Sequence, residues 1–157
     1  MDWKSCINVD SDVHTLSASG DILPPSEADT SSRAVLIAFN IISTAGVYTS
    51  LRKYDEALKY ASCADEIICS PEYLASKPDE HDFIHLSLLE VTSECAAGAS
   101  KFDLAKSSAV SAVHLAKRLS QPKRSAAMFA SLGHIARIQS DDVGSRKYFK
   151  SAADNYI

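Results

Sequence analysis

This sequence predicts an all-α fold of stacked helical hairpins, and three observations carry that expectation. A lattice of side chains recurs three times along the chain at fixed internal spacing. The steps within it, four and seven residues, are those of neighbours on one helix face. Glycine and proline, five residues each, are scarce, and the prolines stand between apolar segments rather than inside them. A chain so poor in turn formers does not suit a many-stranded β fold.

The first copy of the lattice is Ile41, Ala45, Tyr54, Ala57, Ala61 and Ala64. The second is Leu89, Ser93, Phe102, Ala105, Ala109 and Ala112, and the third is Phe129, Gly133, Asp142, Ser145, Phe149 and Ala152. Each copy sets a bulky apolar residue four positions before a small one, with a second small residue twelve further on. That jump predicts two helices joined by a tight turn and crossing closely at the small pair. Hairpins repeated in this way build solenoids, which usually hold other molecules rather than transform them.

Residues 1–32 are dominated by Ser, Thr and Asp, with Gly20 and Pro24-Pro25, and predict an irregular arm, flexible or docked through Trp3, Ile7, Val9 and Ile22-Leu23. Thr30-Ser31-Ser32 supply N-cap candidates for a helix from about Arg33 to Ser50. Val35, Leu36, Ile37, Phe39, Ile41, Ile42 and Val47 cover more than one of its faces, so it must be buried on two sides. A turn at Leu51-Arg52-Lys53 leads to a second helix, about Tyr54 to Cys69, stopped by Ser70-Pro71. A connector reaches about Pro78, and Asp79, Glu80 and Asp82 suit the start of a third helix ending near Gly98. The fourth spans Phe102 to Leu119, the fifth about Lys123 to Gln139, and the sixth begins at Asp142. The hairpins thus cover about 33–70, 79–121 and 123–157, one helical repeat domain after the arm.

Composition narrows the function. At 46% hydrophobic and 23% charged, the chain is that of an ordinary soluble domain. Its net charge of −4 divides into −8 for residues 1–82 and +4 for residues 83–157, a split that could attract end to end. The bases are dispersed, without the dense basic face and interleaved aromatics of nucleic-acid proteins. Cys6, Cys63, Cys69 and Cys95 form no CxxC pair; the last three sit in apolar helical pattern, as small buried hydrophobes in a reduced, cytoplasmic compartment would. No secretory leader is evident at Met1-Asp2-Trp3-Lys4, and the longest apolar stretch, Ala34 to Tyr48, is too short for a membrane span.

The lattice resembles the tetratricopeptide repeat (TPR). Phe129, Leu132-Gly133, Phe149 and Ala152 carry the resemblance in the third copy, Tyr48, Tyr54, Ala57, Ala64 and Pro71 in the first, and Leu89, Phe102, Ala105, Ala112 and Pro122 in the second. It covers about residues 38–157. The repeats are longer than the family's: Ala57, Ala105 and Ser145 give periods of 48 and 40, against about 34. Ala45 and Ser93 stand for the motif glycine, and Asp142 for its turn aromatic.

The resemblance implies a right-handed α-solenoid of three TPR-like hairpins whose first (A) helices line a concave groove. By register the groove positions are Phe39, Ile42, Gly46 and Thr49, then Ser87, Glu90, Glu94 and Ala97, then Ala127, Ala130, His134 and Arg137. Family members that clamp a chaperone's terminal carboxylate need Lys and Asn on the first two A helices, a pattern missing here. The implied groove is apolar at one end, acidic in the middle and basic at the other, suited to a segment with apolar anchors and a Lys or Arg.

Catalytic chemistry finds little support. His81 and His85 stand four apart beside Asp79, Glu80 and Asp82, a candidate for a transition metal or, more simply, an acidic helix start with solvated histidines. No phosphate-binding glycine loop and no GxSxG elbow occurs. The expected function is therefore a non-catalytic protein–protein interaction module without cofactor, binding a peptide or protein through Phe39, Ile42, Thr49, Glu90, Glu94, His134 and Arg137. The alternative is a self-associating or subunit-docking domain, a homo-oligomer that uses the apolar first helix.

Overall fold

The computed structural model describes residues 27–75 and 78–156, with side-chain surroundings from residue 33 onward except at 72 and 78–80. These residues form α1 (Glu27–Ser50), α2 (Tyr54–Ile68), a four-residue α3 (Pro71–Leu74), α4 (Pro78–Gly98), α5 (Phe102–Arg118), α6 (Pro122–Ile138) and α7 (Asp142–Tyr156). Among the described residues there is no strand. The architecture is six substantial helices, each packed on the next, with α3 as an extra turn.

α1 begins six residues earlier than the sequence suggested, and Thr30, Ser31 and Ser32 lie inside it rather than at its cap. Ser and Thr are only mildly unfavourable within a helix. The rest of the expected arm, residues 1–26, lies outside the described residues.

Every tight turn closes in the same way. Arg52, Ser100, Ser120 and Ser140 each adopt a left-handed conformation, with φ of 59°, 60°, 54° and 60°. After each one, the next residue's N–H reaches back five positions: Lys53 to the Tyr48 carbonyl, Lys101 to Ala96, Gln121 to Ala116 and Asp141 to Ala136, at 2.8–2.9 Å. The left-handed residue itself donates three positions back, so both bonds of the Schellman closure are present. Asp141 then caps α7, accepting the Gly144 N–H at 2.9 Å.

The twelve-residue pairs are where the helices of each hairpin cross. Ala45 and Ala57 are both fully buried. In the second hairpin the Ser93 hydroxyl donates to the Ala105 carbonyl at 3.0 Å, and in the third the Ser145 hydroxyl donates to the Gly133 carbonyl at 3.0 Å. A small residue lets the backbones approach, and where it is serine its hydroxyl bonds directly to the facing backbone. Gly133 lies against the Phe149 ring, which a Cβ would meet at 3.0 Å. Gly98 lies so close under Tyr54 that a Cβ there would overlap the ring.

Packing continues from one hairpin to the next. Ile84 and Leu88 of α4 enter a core with Ala38, Ile41 and Ile42 of α1 and with Ala61, Ala64 and Ile67 of α2. Met128 and Leu132 of α6 do the same with Ala109, Ala112, Val113 and Ala116 of α5. The first helices of the three hairpins, α1, α4 and α6, also touch in sequence, closely between α1 and α4 and lightly between α4 and α6. The segment read as a plain connector contains α3, capped by Ser70, whose hydroxyl accepts the Tyr73 N–H at 3.3 Å. Tyr73 is buried in the first core, and its ring stacks on His81 at 4.5 Å. Cys63 and Cys95 are buried as expected, but Cys69 is exposed at the C-cap of α2, one residue beyond the apolar stripe.

Candidate interaction surface

The neighbouring helices α1, α4 and α6 carry the positions assigned to a binding groove, and the structure sorts them. On α1, Phe39 is 57% exposed, whereas Ile42 (5%) and Thr49 (6%) are buried. Close packing of α1 against α4 takes Ile42 into the first core. The Thr49 hydroxyl donates to the Ala45 carbonyl at 2.9 Å. Neither side chain is presented to a ligand. Gly46 has open space where a Cβ would stand.

On α4, Glu90 is only part-exposed, and Arg124 of α6 holds it from the side. Arg124 donates from Nε to Glu90 Oε1 at 2.8 Å and from Nη2 to Glu90 Oε2 at 2.6 Å, with a further bond to Ser87 Oγ at 2.8 Å. This two-pronged geometry is the strongest form of an ion pair, and its partial burial protects it from salt. It ties α4 to α6 where their direct contact is light. Glu94, one turn further along, is exposed and outside the clamp.

On α6, His134 and Arg137 are both exposed and touch each other. The Arg137 guanidinium lies 3.3 Å from His134 Nδ1. The His134 ring meets Phe149 edge-on at 5.1 Å, an orientation set by the close crossing at Gly133. His134 is thereby fixed from two sides, and Arg137 projects beyond it.

Sequence reasoning missed three contributors. Arg124, on the next hairpin's first helix, reaches across to Ser87 and Glu90 of α4. Phe83 is exposed one turn before Ser87, on the stripe that continues through Glu90 and Glu94. Ile138 is exposed beside Arg137. Extending the four-and-seven spacing outward from the assigned positions would have found both apolar residues.

The His81 ring stacks on Tyr73, and His85 is exposed. Among the described residues no group of three or more His, Cys, Asp or Glu side chains is placed to hold a metal ion. No helix among them is long and apolar enough to cross a membrane. A crease of about 350 Å³ opens between α2, α4 and α5, lined by Leu58, Leu88 and Leu104 with Asp65 and Glu66. Comparison with protein-family models, with curated proteins and with solved structures yields no match.

Proposed function

We propose that this chain is a non-catalytic protein-interaction module, an adaptor-type domain of three TPR-like hairpins wound as a right-handed α-solenoid. Its ligand is an extended or helical protein segment laid across α1, α4 and α6. The observation that carries this reading is the pattern left exposed on those helices. Phe39, Phe83 and Ile138 offer apolar anchor points, and Glu94 and Arg137 offer charges of opposite sign. Glu90 belongs to the scaffold rather than to recognition, because Arg124 already neutralises it. The surface therefore selects a segment with bulky apolar residues and a base placed to meet Glu94, next to an acid placed to meet Arg137.

Selection from a random-peptide display library tests this directly. The wild-type chain enriches peptides of that composition, and Glu94→Lys combined with Arg137→Glu abolishes their capture while the helical circular-dichroism spectrum stays unchanged. Enriched peptides that bind the double variant equally well would place recognition elsewhere.

A further inference from the structure

The hairpins pack on one another through a register that repeats every 48 and then 40 residues, and the two end helices carry that register with nothing on it among the described residues. α5 lies between α4 and α6, and its Ser108, Ala109, Ala112, Val113, Leu115 and Ala116 are all buried. Forty residues on, the same positions of α7 are Tyr148, Phe149, Ala152, Ala153, Asn155 and Tyr156; Tyr148 and Phe149 lean on α6 and its core, and Ala153 and Tyr156 are exposed. Among the described residues α7 packs extensively on α6 alone, so its side with Ala153 and Tyr156 is an acceptor face that no helix fills.

α1 presents the matching donor face. Ile84, Leu88 and Cys95 of α4 are buried, the first two within the preceding hairpin's core. Their counterparts on α1 are Leu36 at 61% exposure, Asn40, and Val47 at 58%. This outer side of α1 is distinct from the position of Phe39. Its apolar character is what the sequence alone flagged as needing cover.

We infer that a second copy of this chain docks its α1 onto α7, joining copies head to tail with the geometry that joins hairpins within one chain. Two details favour a copy over an unrelated partner. At the internal junction Arg124 meets Ser87 and Glu90, a polar contact. In the same register between copies, Leu36 meets Ala127 and Ala130, so both sides have turned apolar together. The second detail is charge. The acidic first part and basic last part of the chain favour the same end-to-end orientation. Asn40, polar where α4 and α6 have Leu88 and Met128, leaves the contact dissociable.

A head-to-tail contact is heterologous and does not close on itself. Sedimentation velocity of the full chain should show the weight-average mass climbing with concentration from 16.9 kDa through multiples of it, rather than levelling at two. Val47→Glu and Ala153→Glu, both at exposed sites, should each be monomeric and fully helical alone. Mixed, they retain one intact face apiece, and the mixture should reach twice the monomer mass and stop there. A full chain that is monomeric at every concentration, its faces filled by its own residues or reserved for another protein, overturns the inference. So does an Ala153→Glu variant that associates like wild type, which would mean α1 pairing with α1.

Discussion

Replacing Gly133 by leucine isolates the close crossing on which the third hairpin depends. A bare Cβ at this position stands 3.0 Å from two Phe149 ring carbons and 3.1 Å from a third. The ring is half-buried between α6 and α7 and can yield a few tenths of an ångström to a methyl group. The further carbons of leucine cannot be accommodated without parting α6 from α7. Parting them costs about 1–3 kcal/mol in overpacking and the 3.0 Å bond from Ser145 to the Gly133 carbonyl, worth about 1 kcal/mol. Leucine returns about 0.5–1 kcal/mol through its better helix propensity. The net loss is therefore about 1–3 kcal/mol, or roughly 3–10 °C in Tm for a chain of this length. Gly46 supplies the control: it also lies within a helix, but open space surrounds its absent Cβ. Gly46→Ala should gain the propensity term alone, about 0.5–1 kcal/mol. The assay is urea denaturation followed by circular dichroism, with hydrogen exchange resolved along α7. Gly133→Leu with an unchanged midpoint and undiminished protection of α7 would refute the argument that close approach holds this helix.

Other outcomes follow from single features. Ser100→Gly, Ser120→Gly and Ser140→Gly, combined, should stabilise the chain by about 1–2 kcal/mol, because each removes a left-handed penalty and only part is returned through the unfolded state; an unchanged denaturation midpoint would contradict the φ values. Ser125→Ala should be neutral or raise the unfolding free energy by up to about 1 kcal/mol, since the Ser125 hydroxyl is buried without a hydrogen-bond partner. Burial pushes the Cys95 thiol up to about 11, so in the folded chain it should resist a thiol reagent at pH 8 to which exposed Cys69 reacts. The unfolded thiol loses its proton first as pH rises, so this group's contribution to stability falls between the ordinary thiol range and about pH 11. Wild type should therefore lose more stability than Cys95→Ala between pH 8 and pH 10.

The helices were legible because the pattern that makes them is local. Apolar steps of four and seven residues, Pro71 and Pro122 as stops to the helices before them, and small residues twelve apart located α2 and α4 to α7 within about two residues. What escaped depends on contacts between distant parts of the chain. Tyr73 looks like one aromatic in a connector, and only its burial between α1 and His81 reveals α3 as part of the core. Glu90 and Glu94 look alike in sequence, yet Arg124, on a different helix, takes one and leaves the other. Ile42 and Phe39 are three positions apart on one helix, and only the neighbouring α4 decides that the first is interior and the second surface. Periodicity identifies a stripe; the neighbour determines how much of that stripe remains at the surface.

The matching turns at Ser100, Ser120 and Ser140 make the chain a string of interchangeable joints. They are twenty residues apart, and the turn within a hairpin has the same shape as the turn between hairpins. A splice from Ser100 directly to Asp141 would delete forty residues, rejoin α4 to α7 across a turn of unchanged geometry, and bring small Ser93 opposite small Ser145. A duplication of the same forty residues would be equally well accommodated. Such a chain grows or shrinks by whole helix pairs without any joint being remade, so its length is the least constrained of its properties.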